Sequence, residues 1–149
     1  MADSGITIPT NRAFETKIAV RHADARSAVT ASGAYVSHVT YENMVLLINE
    51  AFDHFLASTG DSKWNIAGSN IIVPKMEVEF KNEVKAGEII TFHVTPTNFG
   101  NKSFDLITVG LKENGEVCVV SKTVLIFFNY QEKRTMPVPE DFKKRYPVN

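Results

Sequence analysis

The chain has 149 residues, with 16 Lys and Arg against 17 Asp and Glu, a formal charge of -1, and 44% hydrophobic and 22% charged side chains. That length is one domain, able to bury about two-thirds of its surface without staples, and the composition excludes disordered, collagen-like and coiled-coil chains. The neutral balance argues against nucleic acid as a partner, because phosphate neutralisation needs a clustered excess of Lys and Arg.

Residues 1–13 read as an N-terminal arm and 14–149 as a single domain. The start has no apolar segment behind a basic one, and no run of 18 apolar residues occurs, so neither a signal peptide nor a membrane span is expected. A lone cysteine, Cys118, can form no internal disulfide and points to a reducing, cytoplasmic setting. Cys118 lies among Val117, Val119 and Val120 and reads as a small buried hydrophobe.

Phe14 to His22 alternates apolar and polar residues and is expected to form the first strand. Residues 23–40 are small and polar and read as an extended loop. A helix follows, with Thr40 as N-cap, Glu42 in the first turn and Gly60 as its stop. Met44, Val45, Leu47, Ile48, Ala51, Phe52, Phe55 and Leu56 recur at three- and four-residue spacing along it. From Ser27 to Ser62 there are four acids (Glu42, Glu50, Asp53, Asp61) and no Lys or Arg, so much of this helix is expected to be covered.

Beyond it the period becomes two. In Ile71 to Lys85, Lys75, Glu77, Glu79, Lys81, Glu83 and Lys85 share one parity, while Met76, Val78, Phe80 and Val84 share the other, giving a strand with one wet face. Further strands are expected over 88–97, 102–113 and 116–130, with Asn114-Gly115 as a hairpin signal. The last strand is apolar on both faces, so it should be central in the sheet. Its outer face should meet something too, most simply a second subunit. The order of one strand, one long helix and about four antiparallel strands gives an α+β domain in which a single sheet wraps the helix.

Val20-Arg21-His22-Ala23-Asp24, Ser37-His38-Val39 and Asn49-Glu50-Ala51 resemble the opening motif of the 4-hydroxybenzoyl-CoA thioesterase family of acyl-CoA thioesterases. Residues 72–80, Val84-Lys85-Ala86-Gly87-Glu88, Gly100-Asn101-Lys102-Ser103-Phe104 and 136–142 are similar to the family's later strand and turn motifs. The likeness spans about residues 14–146 and implies the hot-dog fold, a long central helix wrapped by a curved antiparallel sheet of about five strands. It also implies hydrolysis of an acyl-CoA or acyl-carrier-protein thioester by a dimer or tetramer, with no bound cofactor. Against the family pattern, about eight extra residues separate Asp24 from His38. The family's second Asp has no counterpart, and Thr40-Tyr41 stand where it has Asn-Asn.

Thioester hydrolysis needs a carboxylate to activate water or attack, and donors for the developing oxyanion. The donors expected are the N–H groups around Tyr41 and Glu42 at the helix start, where the resembled family polarises its carbonyl. Asp24 is the carboxylate best placed by motif. Glu50, on the helix beside its apolar face, is the second, since some related enzymes use a helical acid reached from the partner subunit. His38 is a candidate base or positioning group. Lys63, Lys102 and Ser103 are candidates for the coenzyme A phosphates, as is the tail from Gln131 to Asn149, whose five basic and three acidic residues leave +2. His93, alternating with Thr91 and Thr95, should face solvent or a partner, and four scattered histidines give no metal site. The alternative function is a non-catalytic hot-dog module that binds an acyl group or acts as a scaffold. A hot-dog dehydratase is less supported, because no hydratase His motif is present.

Overall fold

The structure is a computed structural model and describes residues 5–146. Residues 1–4 of the expected arm and 147–149 of the basic tail lie outside the described residues. Strand β1 (Phe14–Ala19) leads through a short 3-10 turn (His22–Asp24) into β2 (Ala25–Val29) and β3 (Tyr35–Val39). Helix α1 (Tyr41–Ser58) follows, then β4 (Asn70–Phe80), β5 (Ile89–Thr97), β6 (Ser103–Leu111), β7 (Val117–Asn129), the two-residue β8 (Arg134–Thr135) and α2 (Glu140–Arg145).

The main sheet is antiparallel in the order β1-β5-β6-β7-β4, with β8 added beside β7. It curls half-way around α1, which is the hot-dog architecture. The apolar stripe of α1 enters this curve: Met44, Leu47, Ile48, Ala51, Phe52, Phe55 and Leu56 are all buried. The opposite flank is not covered within one chain, and Leu46 is 63% exposed. β7 lies between β6 and β4, as its two apolar faces require. β4 is an edge strand. Its register shifts between Ile72 and Lys75, where Pro74, which has no N–H for a ladder, is tolerated. This strand ends at Phe80, short of the expected Lys85, because the chain turns so that Lys81 and Asn82 donate to the Cys118 carbonyl.

Two expectations are corrected. Residues 25–39 are a β-hairpin, with Ala25 opposite Val39 and Val29 opposite Tyr35, where an extended loop was expected. Its small polar residues are wet on both faces, so no apolar alternation marks its strands. His93 is 8% exposed and does not face solvent, because residues 11–13 cross it. Arg12 Nη1 donates to His93 Nε2 at 2.9 Å, and the Thr95 hydroxyl donates to the Asn11 carbonyl at 3.3 Å. Burial, with the neighbouring Arg12 charge, pushes the His93 pKa below the ordinary histidine value. Further along the same strap, Ile6 packs on Ile107, Val109 and Val120. Part of the outer apolar face is thus covered by the chain's own N-terminal segment.

The surplus of Phe gathers near the C-terminal end of α1. Phe142 of α2 meets the rings of Phe104, Phe127 and Tyr146 at centroid separations of 5.0, 5.8 and 5.2 Å, and Phe14 meets Phe55 at 5.8 Å. Phe142 is fully buried, so its ring fastens α2 to the sheet. Phe142→Ala should lower stability by about 3–5 kcal/mol, the cost of emptying a buried aromatic site. The check is the urea midpoint, read by a far-ultraviolet signal.

Candidate functional site

The start of α1, the 3-10 turn and the base of the hairpin meet at one end of the sheet. Thr40 is extended (φ -77°, ψ 162°), and its hydroxyl accepts the Asn43 N–H at 3.4 Å, while its carbonyl accepts the Met44 N–H at 2.9 Å. The main-chain N–H groups of Tyr41 and Glu42 have no acceptor among the described residues. They are the first donors of an 18-residue helix and carry the positive end of its dipole.

Asp24 is buried, 7% exposed, and its carboxylate is fully engaged. Oδ2 accepts the Arg21 main-chain N–H at 2.9 Å and Nε–H at 3.2 Å, and Oδ1 accepts Nη2–H at 3.0 Å. Hydrogen bonding from the Arg21 side chain holds the Asp24 carboxyl below the usual carboxylate range, against the opposing effect of burial. The Asp24 carbonyl in turn accepts Asn43 Nδ2–H at 2.9 Å, which ties the turn to the helix. Asn43 was not singled out in the sequence, where it is one polar residue in a first turn.

His38 stands opposite Arg26 in the hairpin register. Arg26 reaches across to Glu42, with Nη2 to Oε1 at 3.0 Å, and the Val39 N–H donates to the Val84 carbonyl at 2.8 Å. Asp24, His38, Tyr41 and Glu42 are therefore brought to the same end of the sheet. Glu50 is not, because eight residues at 1.5 Å rise place it about 12 Å along the axis from Glu42. Its side chain is 47% exposed, 4.0 Å from His54 Nε2, and its charge bears on Arg21.

Lys63 pairs with Asp53 at 3.0 Å, donates to Asn49 Oδ1 and lies over the Phe52 ring. Lys102 and Ser103 occupy the β5–β6 turn, bonded to Phe127 and Gly100. That turn is at the opposite end of the sheet from Tyr41 and Glu42, so one chain does not bring these groups together. Arg145 of the tail is paired with Asp61 at 2.6 Å. Among the described residues no three His, Cys, Asp or Glu side chains group as metal ligands would. Cys118 is buried, and burial pushes its thiol up to about 11, far from a reactive thiolate.

A cavity of about 430 Å³ runs along the open flank of α1 against β4. Val45, Leu46, Asn49 and Phe52 form the helix wall, Ile71, Ile72, Val73 and Met76 the strand wall, and Trp64 and Tyr130 the far end. Its helix wall begins one turn beyond Tyr41. The cavity was missed in the sequence, although Val45 and Phe52 were placed on the apolar stripe. What separates core from cavity is how far the sheet reaches around the helix, and spacing does not carry that. A smaller hollow of about 280 Å³ lies at the helix start itself, between Tyr41, Met44 and the chain from Phe80 to Val84.

A family model described as the thioesterase-like superfamily matches residues 20–146. That description is broader than the 4-hydroxybenzoyl-CoA thioesterase family which the motifs resemble. Among curated proteins none matches. Among solved structures, the chain is similar to a Staphylococcus aureus protein determined in complex with CoA. The TM-score is 0.74 at 17% identity, covering 89% of this chain and 80% of that one. A 1,4-dihydroxy-2-naphthoyl-CoA thioesterase from Synechocystis gives 0.72 at 17%, covering 89% and 93%. A gentisyl-coenzyme A thioesterase gives 0.68 at 20%, covering 90% and 100%.

The Asp24 lock predicts a pH signature. A carboxylate with a lowered folded pKa contributes stability above its ordinary value near 3.8, and that contribution is lost as the pH falls through the folded value. Asp24→Asn should therefore lower the urea midpoint at pH 7, and the gap to the parent should narrow as the pH falls below 4. A gap of constant size across that range would show that the ion pair is not what stabilises the turn.

Proposed function

The chain belongs to the thioesterase-like superfamily, and on that premise we propose that it hydrolyses an acyl-CoA or acyl-carrier-protein thioester to the carboxylic acid and the free thiol. One observation carries the reading: two N–H groups without an acceptor among the described residues stand at the start of α1, one helical turn before the helix wall of an apolar cavity. A thioester carbonyl seated at Tyr41 and Glu42 would have its developing oxyanion met by both donors, while its acyl group lies along α1. Water adds to the carbonyl carbon and gives up a proton to a carboxylate. The tetrahedral intermediate then collapses, breaking the C–S bond, and the thiolate takes a proton as it leaves.

The choice of carboxylate follows from distance and engagement. Asp24 is tied to the first turn of the helix through its carbonyl, but both its carboxylate oxygens are held by Arg21. Glu50 has a half-exposed carboxylate with His54 as its neighbour at 4.0 Å, yet about 12 Å along the axis separates it from the donors of its own helix. We assign the base to Glu50 acting on the helix start of a second copy, with His38 positioning the substrate. Self-association is supported by β4, an 11-residue strand with exposed Val73 and Phe80 whose outer edge pairs with no strand among the described residues, since a long edge invites pairing. The coenzyme A phosphates fall to Lys102 and Ser103 of the partner subunit, because Lys63, held by Asp53 and Asn49 at the acyl end of the cavity, lies away from the thioester. A binding module without catalysis is the second reading, favoured by the engagement of Asp24.

Tyr41→Pro isolates the donor role. Proline lacks the N–H yet is favoured at the first helical position, and Thr40 already has the extended backbone that a following proline demands. The fold should persist while kcat falls about 10²- to 10³-fold, the loss typical of one oxyanion donor. Glu50→Gln should be similarly impaired, and mixing the two inactive proteins should restore turnover, because one mixed site then has both groups. Failure to recover activity on mixing would place the base in the same chain as the donors. No turnover by the parent on any acyl-CoA or acyl-carrier-protein thioester, with binding retained, would leave the module reading.

A further inference from the structure

The cavity has a chemistry more specific than its location. Ten of its fourteen lining residues are apolar. The four polar ones are Asn49, Lys63, Thr123 and Tyr130, and three of these already bond to other protein groups. Lys63 is held by Asp53 and by Asn49 Oδ1, which uses that amide oxygen as well, and the Tyr130 hydroxyl donates to the Ile71 carbonyl at 3.3 Å. Thr123, half-buried on β7, is the one polar side chain of the floor, beside the buried Ile48, Ile71 and Leu106. The floor therefore offers one hydroxyl, which can partner at most one polar substituent, while the other donors of the lining, the Asn49 amide and the Trp64 indole N–H, stand on exposed residues at the rim.

From this we propose that the site takes an unsubstituted hydrocarbon acyl group, either an aliphatic chain or a bare aromatic ring, and discriminates against acyl groups carrying two ring hydroxyls. An incoming hydroxyl exchanges its water for an apolar wall, and an unpaired buried hydroxyl is costly. A bare ring or a methylene chain meets only gain. The volume of about 430 Å³ is near the lower end of the ~300–1,000 Å³ typical of small-molecule pockets. It has room for the acyl group, with the pantetheine arm left outside past Leu46. The inference deepens the thioesterase reading and rests on it for turnover, while its binding arm does not.

The decisive comparison pairs ligands that differ only in hydroxyls. Hydrolysis of benzoyl-CoA and 2,5-dihydroxybenzoyl-CoA is followed with a thiol reagent, with octanoyl-CoA as the aliphatic case. Binding of S-benzyl-CoA, S-(2,5-dihydroxybenzyl)-CoA, S-octyl-CoA and S-methyl-CoA, which cannot be hydrolysed, is measured by calorimetry. The expected result is that kcat/KM favours benzoyl and octanoyl over dihydroxybenzoyl about 10- to 100-fold, with thioether affinities in the same order. Leu46→Gln, at an exposed rim position where folding is not at stake, should weaken S-octyl-CoA by a several-fold larger factor than S-methyl-CoA. Equal or better use of the dihydroxylated ring would overturn the cavity assignment while leaving the thioesterase intact. No hydrolysis of any thioester, with S-octyl-CoA still bound more tightly than S-methyl-CoA and the dihydroxybenzyl thioether the weaker of the ring pair, would sink the enzyme and keep the cavity. Indifference of affinity to the acyl group would sink the inference outright.

Discussion

Everything in this fold follows from an incomplete enclosure. The stripe from Met44 to Leu56 must be buried, and a curled sheet of five principal strands closes around only part of an 18-residue helix. Burying the stripe sets the sheet's curvature and the direction of its inner side chains, so Phe92, Val94, Phe104, Leu106, Val119 and Leu125 face α1. The uncovered flank is the remainder, and it is there that Leu46, Trp64 and Val73 stand exposed around a cavity. A complete barrel would be more economical in apolar surface and would leave neither an entrance to the helix start nor a free β4 edge.

The same geometry separates the chemical groups. An α-helix is a ruler of 1.5 Å per residue, so groups on it cannot approach one another however the rest of the chain moves. The donors at Tyr41 and Glu42 and the carboxylate of Glu50 are fixed apart by covalent structure. Lys102 and Ser103, at the far end of the sheet, are fixed apart from the helix start by β6 and β7. Motif position in the sequence marked all of these as belonging to one site. Within a single chain they lie at opposite ends of the sheet, and the proposed chemistry therefore calls for a second copy to bring them together.

How much was legible in the sequence follows from what each signal measures. The helix, its Thr40 cap and the alternating strands were readable, because spacing and capping are local properties that burial then reinforces. The hairpin from Ala25 to Val39 was not, since strands wet on both faces lack the apolar alternation that betrays a strand. The N-terminal strap was unreadable for a related reason. Ile6 is one apolar residue among polar ones, and its burial depends on a patch of Ile107, Val109 and Val120 more than a hundred positions away. At the site, residue types were readable and engagement was not. Asp24 looks like a free acid in the sequence, and only the three bonds from Arg21 reveal it as a clasp.

That clasp gives the extra residues between Asp24 and His38 a role in the electrostatics of the helix start. A glutamate in the first turn is drawn to the unpaired N–H groups and the positive end of the dipole, where it would compete with any incoming oxyanion. Glu42 is such a residue, and here its carboxylate pairs with Arg26, which the hairpin carries to within 3.0 Å. The hairpin is placed by the Asp24 turn, and Asn43 Nδ2–H fixes that turn to the helix through the Asp24 carbonyl. A chain of local bonds, Arg21 to Asp24, Asp24 to Asn43 and Arg26 to Glu42, thus holds the native acid off the donors. The stretch from Ser27 to Ser62 has no Lys or Arg, and Arg26 stands immediately before it, at the position from which it can neutralise the one carboxylate in the first turn of the helix.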